Sequence, residues 1–209
     1  MIAILLNDAS FEQDIRELLM AFYPGETFTH KEEEAGEVEL IVRGVRDGNS
    51  FSLDVTPVKK EAVHFALIYP DFSNRFETKN EIKQTLYRLL SVQTGRELPW
   101  GTLTGIRPTK IALTKLYDGW TDEQIETYMR ETYFTSKEKI DLSIDVAERE
   151  RRLLSTIDYE NGYSLYVGIP FCPTTCLYCS FTSYPLVSWK NRVDAYLDAL
   201  EKEIDYTAA

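Results

Sequence analysis

The stretch YVGIPFCPTTCLYCSFTSYP, residues 166–185, holds every cysteine of the 209-residue chain: Cys172, Cys176 and Cys179. Three thiols at C-x3-C-x2-C spacing narrow the chemistry. A disulfide leaves one thiol over and is unexpected in a reducing compartment. Cysteines that only fill a core would scatter along the chain. A structural zinc site uses four ligands in all, and the two histidines, His30 and His64, lie far upstream. A short loop can instead wrap a cuboidal iron–sulfur cluster and deliver three thiolates to three irons. The fourth iron then stays open to a small chelating molecule. Electron-storage clusters close all four positions with cysteine, so the missing fourth thiol points to a centre for chemistry.

The elements around this loop can be read from periodicity. YSLYVGIP, ending at Pro170, reads as a short apolar strand. After the loop, Ser188 is placed to cap a helix. Its apolar positions Trp189, Val193, Leu197, Leu200 and Ile204 recur at spacings of three and four and form one stripe. Strand, cysteine loop and helix make one βα unit, and a lone unit cannot cover both faces of its strand. We therefore expect one region over residues 160–209 and a separate α+β domain over 1–155.

Within 1–155 the first six residues read as a buried strand. Ser10 and Gln13 are spaced as a capping box for a helix. The acidic stretch 31–37 reads as a solvated loop. EVELIVRGV and SFSLDVTPV flank Asp47-Gly48-Asn49, the composition of a hairpin turn, and HFALIY over 64–69 is a further strand. From about residue 78 the pattern is helical, with capping-box spacings at Thr78/Glu81, Thr121/Gln124 and Thr135/Glu138. In LTGIRPTKIA, Gly105 permits a tight turn and Pro108 suits a first helical turn.

Composition sets outer bounds. The net charge of −11 argues against nucleic acid as the main partner. The mixed charges at 148–152 read as a solvated helix face. No apolar run reaches the length of a membrane span, and the start, MIAILLNDAS, lacks the basic region of a secretory signal. A cytoplasmic protein is the expectation.

YVGIPFCPTTCLYCSF resembles the signature of the radical S-adenosylmethionine enzymes, in the branch of oxygen-independent coproporphyrinogen III oxidases. The resemblance implies a [4Fe–4S] cluster ligated by Cys172, Cys176 and Cys179, with S-adenosylmethionine on the open iron. It places Tyr178 beside the adenine and Tyr166 near the sulfonium, where a ring face favours a cation. It implies a partial (β/α) barrel with the cluster loop after its first strand, a porphyrinogen substrate and an electron donor. Other catalytic residues are not identified by it.

The sequence departs from that pattern at Gly168, a position often histidine, and at Ser180-Phe181, where Gly-Cys is common. The second departure is closer to haem chaperones and haem-binding proteins, which form the alternative reading. LTGIRPTKIA resembles a coproporphyrinogen dehydrogenase branch with a long amino-terminal extension. Only 30 residues follow Cys179 and no glycine follows Gly168. The expectation is therefore the amino-terminal portion of such an enzyme, with a truncated barrel that is inactive alone. Arg107 and Lys110 are candidates for substrate carboxylates, since Arg presents a fixed fork to a carboxylate. Pairing with nearby acids is the plainer expectation for both.

Overall fold

The computed structural model describes residues 1–31, 34, 38–58, 63–158 and 161–208. Most of the acidic stretch 31–37 and the first position of the expected 160–209 region therefore lie outside the described residues. Contacts divide the chain into two units, Met1–Ile157 and Asp158–Ala209.

The first unit is built on a five-stranded sheet in the order β2-β1-β3-β4-β5. Strand β1 (Ile2–Leu6) lies parallel to β2 (Phe28–Thr29) and to β3 (Leu40–Asp47). Strands β3, β4 (Ser50–Pro57) and β5 (His64–Ile68) run antiparallel. Asp47 pairs with Ser50, so the hairpin closes through Gly48 and Asn49, with Gly48 at φ +58°. A side chain there would be strained, which is why the turn sequence could be read directly.

Alternation decides which sheet face is covered. Phe51, Leu53 and Val55 point to one side of β4 and are fully buried. They meet Ile15, Leu18, Leu19 and Phe22 of α1 (Glu12–Phe22) and Ile82, Leu86 and Leu90 of α2 (Arg75–Thr94) in one core. A second core joins α3 (Pro108–Tyr117), α4 (Asp122–Tyr133) and α5 (Lys137–Leu154) through Leu113, Leu116, Ile125, Met129, Ile140 and Ile144.

Helix starts follow the sequence only in part. Thr121 and Gln124 form the expected capping box. Ser10 does not cap α1: Asp8 accepts from the Ser10 N–H, and a short 3-10 turn precedes the helix. Asn74 rather than Thr78 opens α2, and the buried Thr78 hydroxyl donates to the Asp71 carbonyl. Ser136, one residue after Thr135, caps α5.

The second unit contains two short parallel strands, β6 (Phe171–Cys172) and β7 (Tyr184–Pro185), then α6 (Leu186–Trp189) and α7 (Val193–Ala208). The stretch 163–170, expected as a strand, carries no strand hydrogen bonding. A strand needs a neighbour for its backbone groups, and the described residues of this unit offer one only at 171–172. Pro185 rather than Ser188 precedes the first helical turn.

Candidate iron–sulfur loop

The cysteine loop begins on β6 and ends at β7. Pairing of Phe171 with Tyr184 and of Cys172 with Pro185 pins its two ends together. The Tyr184 N–H also donates to the Pro170 carbonyl at 2.7 Å. Cys172 is the last residue of β6, so its sulfur is fixed by the strand. Cys176 and Cys179 sit in the turns beyond it, where the Cys179 N–H donates to the Cys176 carbonyl at 3.0 Å. All three thiols are free. Cys176 is exposed, while Cys172 and Cys179 are half-buried.

Cys172 and Cys179 line one cleft of 540 Å³, together with Tyr166, Gly168, Phe181 and Tyr196. Among the described residues no group of three Cys, His, Asp or Glu side chains is gathered closely enough to hold a metal ion. The donor set nevertheless suits a cluster. Two of the thiols already share one cleft, and the third lies on a turn free of packing constraints. No histidine or fourth cysteine occurs in this unit to complete a four-ligand zinc site.

Tyr166 contributes to the cleft wall, and its ring lies against Gly168: a Cβ at Gly168 would sit 3.2 Å from Tyr166 Cε1. A larger residue at 168 would displace that ring. Tyr178 is 90% exposed and does not line the cleft. The structure thus brings Tyr166 to Cys172 and Cys179 and leaves Tyr178 in solvent.

Three aromatic residues that sequence reasoning passed over organise the loop. Tyr196 of α7 donates a short hydrogen bond from its hydroxyl to the Gly168 carbonyl. Its ring meets Phe171 edge-on, with centroids 5.3 Å apart at 86°. Tyr184 packs tilted against Trp189, with ring centroids 4.5 Å apart at 44°. Tyr196 lies three residues after Val193 and seven after Trp189, so it falls on the apolar stripe. The neighbouring Leu197 masked it.

Most residues upstream that could have been drawn into a site have structural partners. Arg107 pairs with Glu150 of α5 at 3.3 Å, the plainer of its two expectations. The exposed Lys110 side chain makes no ion pair among the described residues, so its pairing expectation is not met. His30 Nδ1 lies 3.1 Å from the Ile4 carbonyl, and His64 Nε2 lies 2.9 Å from Gln93 Oε1. Both histidines belong to the sheet unit. No helix is long and apolar enough to cross a membrane.

Comparison with known proteins gives one informative match. The chain is 34% identical over 153 residues to the oxygen-independent coproporphyrinogen-III oxidase-like protein HemZ of Bacillus subtilis (strain 168). The aligned region takes in 71% of this chain and 30% of that protein. No family model matches the chain. No solved structure matches it.

Proposed function

The chain is a relative of an oxygen-independent coproporphyrinogen-III oxidase-like protein, and on that premise we propose that its cysteine loop is the cluster-binding segment of a radical S-adenosylmethionine oxidoreductase of porphyrin metabolism. The observation that carries the reading is the loop itself. Three free thiols, with no further cysteine and no histidine in the same stretch of sequence, are presented between two paired strand ends. The matched region spans 30% of the relative, so the activity is proposed for the whole protein to which this chain corresponds. In it, propionate side chains of coproporphyrinogen III would be oxidatively decarboxylated to vinyl groups.

Cys172, Cys176 and Cys179 would hold the cluster, with Cys172 as the fixed ligand and the other two carried in by the turns. A [4Fe–4S] cluster bound there supplies an electron to S-adenosylmethionine from an external donor. Tyr166, Phe181 and Tyr196 line the cleft beside Cys172 and Cys179 and would offer ring faces to a sulfonium. Tyr178, exposed between the last two thiols, would be the ring available to the adenine.

Anaerobic reconstitution with iron and sulfide tests the reading. The expected result is roughly four irons per chain, as in a cuboidal cluster. The electron paramagnetic resonance signal of the reduced form should change on adding S-adenosylmethionine. Alanine at any of the three cysteines should abolish it. Stoichiometric zinc binding with no cluster would overturn the proposal. A cluster that ignores S-adenosylmethionine while the chain binds haem would favour the haem-binding alternative.

A further inference from the structure

A cleft of 240 Å³ in the first unit lies between α1, α2 and the loop 102–106 that leads into α3. Its floor is polar and unusual. Lys83 of α2 is only 6% exposed, yet its ammonium makes one hydrogen bond, to Thr104 Oγ1 at 2.7 Å. Among the described residues no carboxylate lies within ion-pairing distance of it. Burial pushes the Lys83 pKa down, against the opposing pull of the Asp14 and Glu17 carboxylates, which lie near but make no ion-pair contact with it. Two of its three N–H groups are unspent.

The neighbouring acids are already committed. The Thr104 hydroxyl donates to Glu17 Oε2 at 3.0 Å, and Gln13 Nε2 donates to Glu17 Oε1 at 2.9 Å. Asp14 pairs with Lys79 at 3.6 Å. Gly105, at φ +69°, brings the loop so close that a Cβ would sit 2.8 Å from Glu17 Oε2. Asn80 also lines the cleft. It is 9% exposed, and its side-chain amide has no hydrogen-bond partner among the described residues. The Asn80 amide opens onto the cleft beside the two unspent Lys83 N–H groups, a set of donors that one anion can share.

We propose that this cleft binds a monocarboxylate with a short apolar arm, its carboxylate on Lys83 and Asn80 and its arm between Phe76 and Ile106. Phe76 and Ile106 are both at least half exposed and form the apolar mouth. The carboxylate takes the open Lys83 N–H groups in charge-assisted hydrogen bonds, which Asp14 and Glu17, acting at longer range, do not make. The nearby carboxylates of Asp14 and Glu17 disfavour a doubly charged ion such as phosphate. The volume is below that of pockets for drug-sized ligands. It suits a small free acid or one carboxylate arm of a larger molecule.

All of these residues lie in Met1–Ile157, so the site stands whether or not the cysteine loop takes up a cluster. The test is a titration of the 15N-labelled full chain, followed by NMR, with butyrate, with a tetracarboxylate porphyrin and with inorganic phosphate. Butyrate should give saturable shifts at the Thr104, Gly105 and Ile106 amides and raise the Lys83 ammonium pKa. Phosphate should do neither. Saturation by the porphyrin alone assigns the site to an arm of a larger acid, and saturation by butyrate assigns it to a free one. Lys83→Met should weaken binding about tenfold or more, equivalent to one charge-assisted contact. Ile106→Glu, at an exposed position that folding does not use, should weaken it through repulsion. The proposal fails if neither carboxylate saturates, if phosphate binds equally well, or if Ile106→Glu and a folded Lys83→Met both bind unchanged.

Discussion

Asp8 shows how a single polar residue can fix the start of an element. Its carboxylate accepts from the Ser10 N–H at 2.9 Å and from Arg46 Nη1 at 3.0 Å. Those hydrogen bonds, with Ser10 the larger cause, lower its pKa from 3.8 to about 2. The folded value is depressed. Asp8 therefore contributes stability that is fully present above pH 4 or so and is lost as pH falls through about 2. Asp8→Ala should cost about 1 kcal/mol at neutral pH, the usual loss for a cap, with the exposed ion pair adding little. The cost should be clearly smaller at pH 2, where folded Asp8 is about half protonated. Urea melts of the two proteins at both pH values check this, and an equal difference at both would refute it. Asp8 also shows why caps were only partly legible. Ser10 and Gln13 have the spacing of a capping box but do not form one, Asp8 has no Glu or Gln three residues on, and Asn74 with Glu77 carries the spacing but was passed over for Thr78. Thr121 was legible because its reciprocal partner Gln124 is local.

At the scale of elements, local pattern succeeded wherever an element's partner is also nearby in sequence. The β3–β4 hairpin closes on its own turn, and its alternation of buried and exposed residues fixes its face. The stretch 163–170 is as apolar as a strand, but no described residue pairs with it and it carries no strand hydrogen bonding. The cysteine window was visible from composition alone. What holds the window was not, because Tyr196 reaches back 28 residues to the Gly168 carbonyl. Helix α7 thus fixes one end of the loop, while the β6–β7 pair fixes its ends to each other. Tyr196→Phe should keep the helix and the ring contact with Phe171 but lose that hydrogen bond, worth about 1 kcal/mol. Reconstituted Tyr196→Phe should then lose iron to a chelator severalfold faster than the parent chain, with unchanged helix content by circular dichroism. Equal rates of loss would show that α7 does not position the loop.

Across the whole molecule, burial is distributed very unevenly. Every core residue among those described lies between Ile2 and Ala147, and no described residue after Ile157 is buried. Apolar burial is the main source of stability, at roughly 25 cal/mol per Å², so the first unit holds nearly all of it. The second unit has only its short strand pair, its aromatic contacts and the internal bonds of α7. Leu177, Tyr166, Tyr178 and Val187 present most of their surface to solvent. Segments with few buried contacts open locally at low free-energy cost. Hydrogen exchange of the full chain should accordingly split in two. Amides of β1, β3, β4, α1 and α2 should exchange only through global opening, and those of 161–208 should exchange orders of magnitude faster. Cluster reconstitution should slow exchange across 166–184 and leave the sheet unit unchanged, since a ligand stabilises the state that binds it. Strong protection of 161–208 before any metal is added would contradict this division. Protection appearing there only with iron and sulfide would identify the three thiols as the point at which the second unit acquires its order.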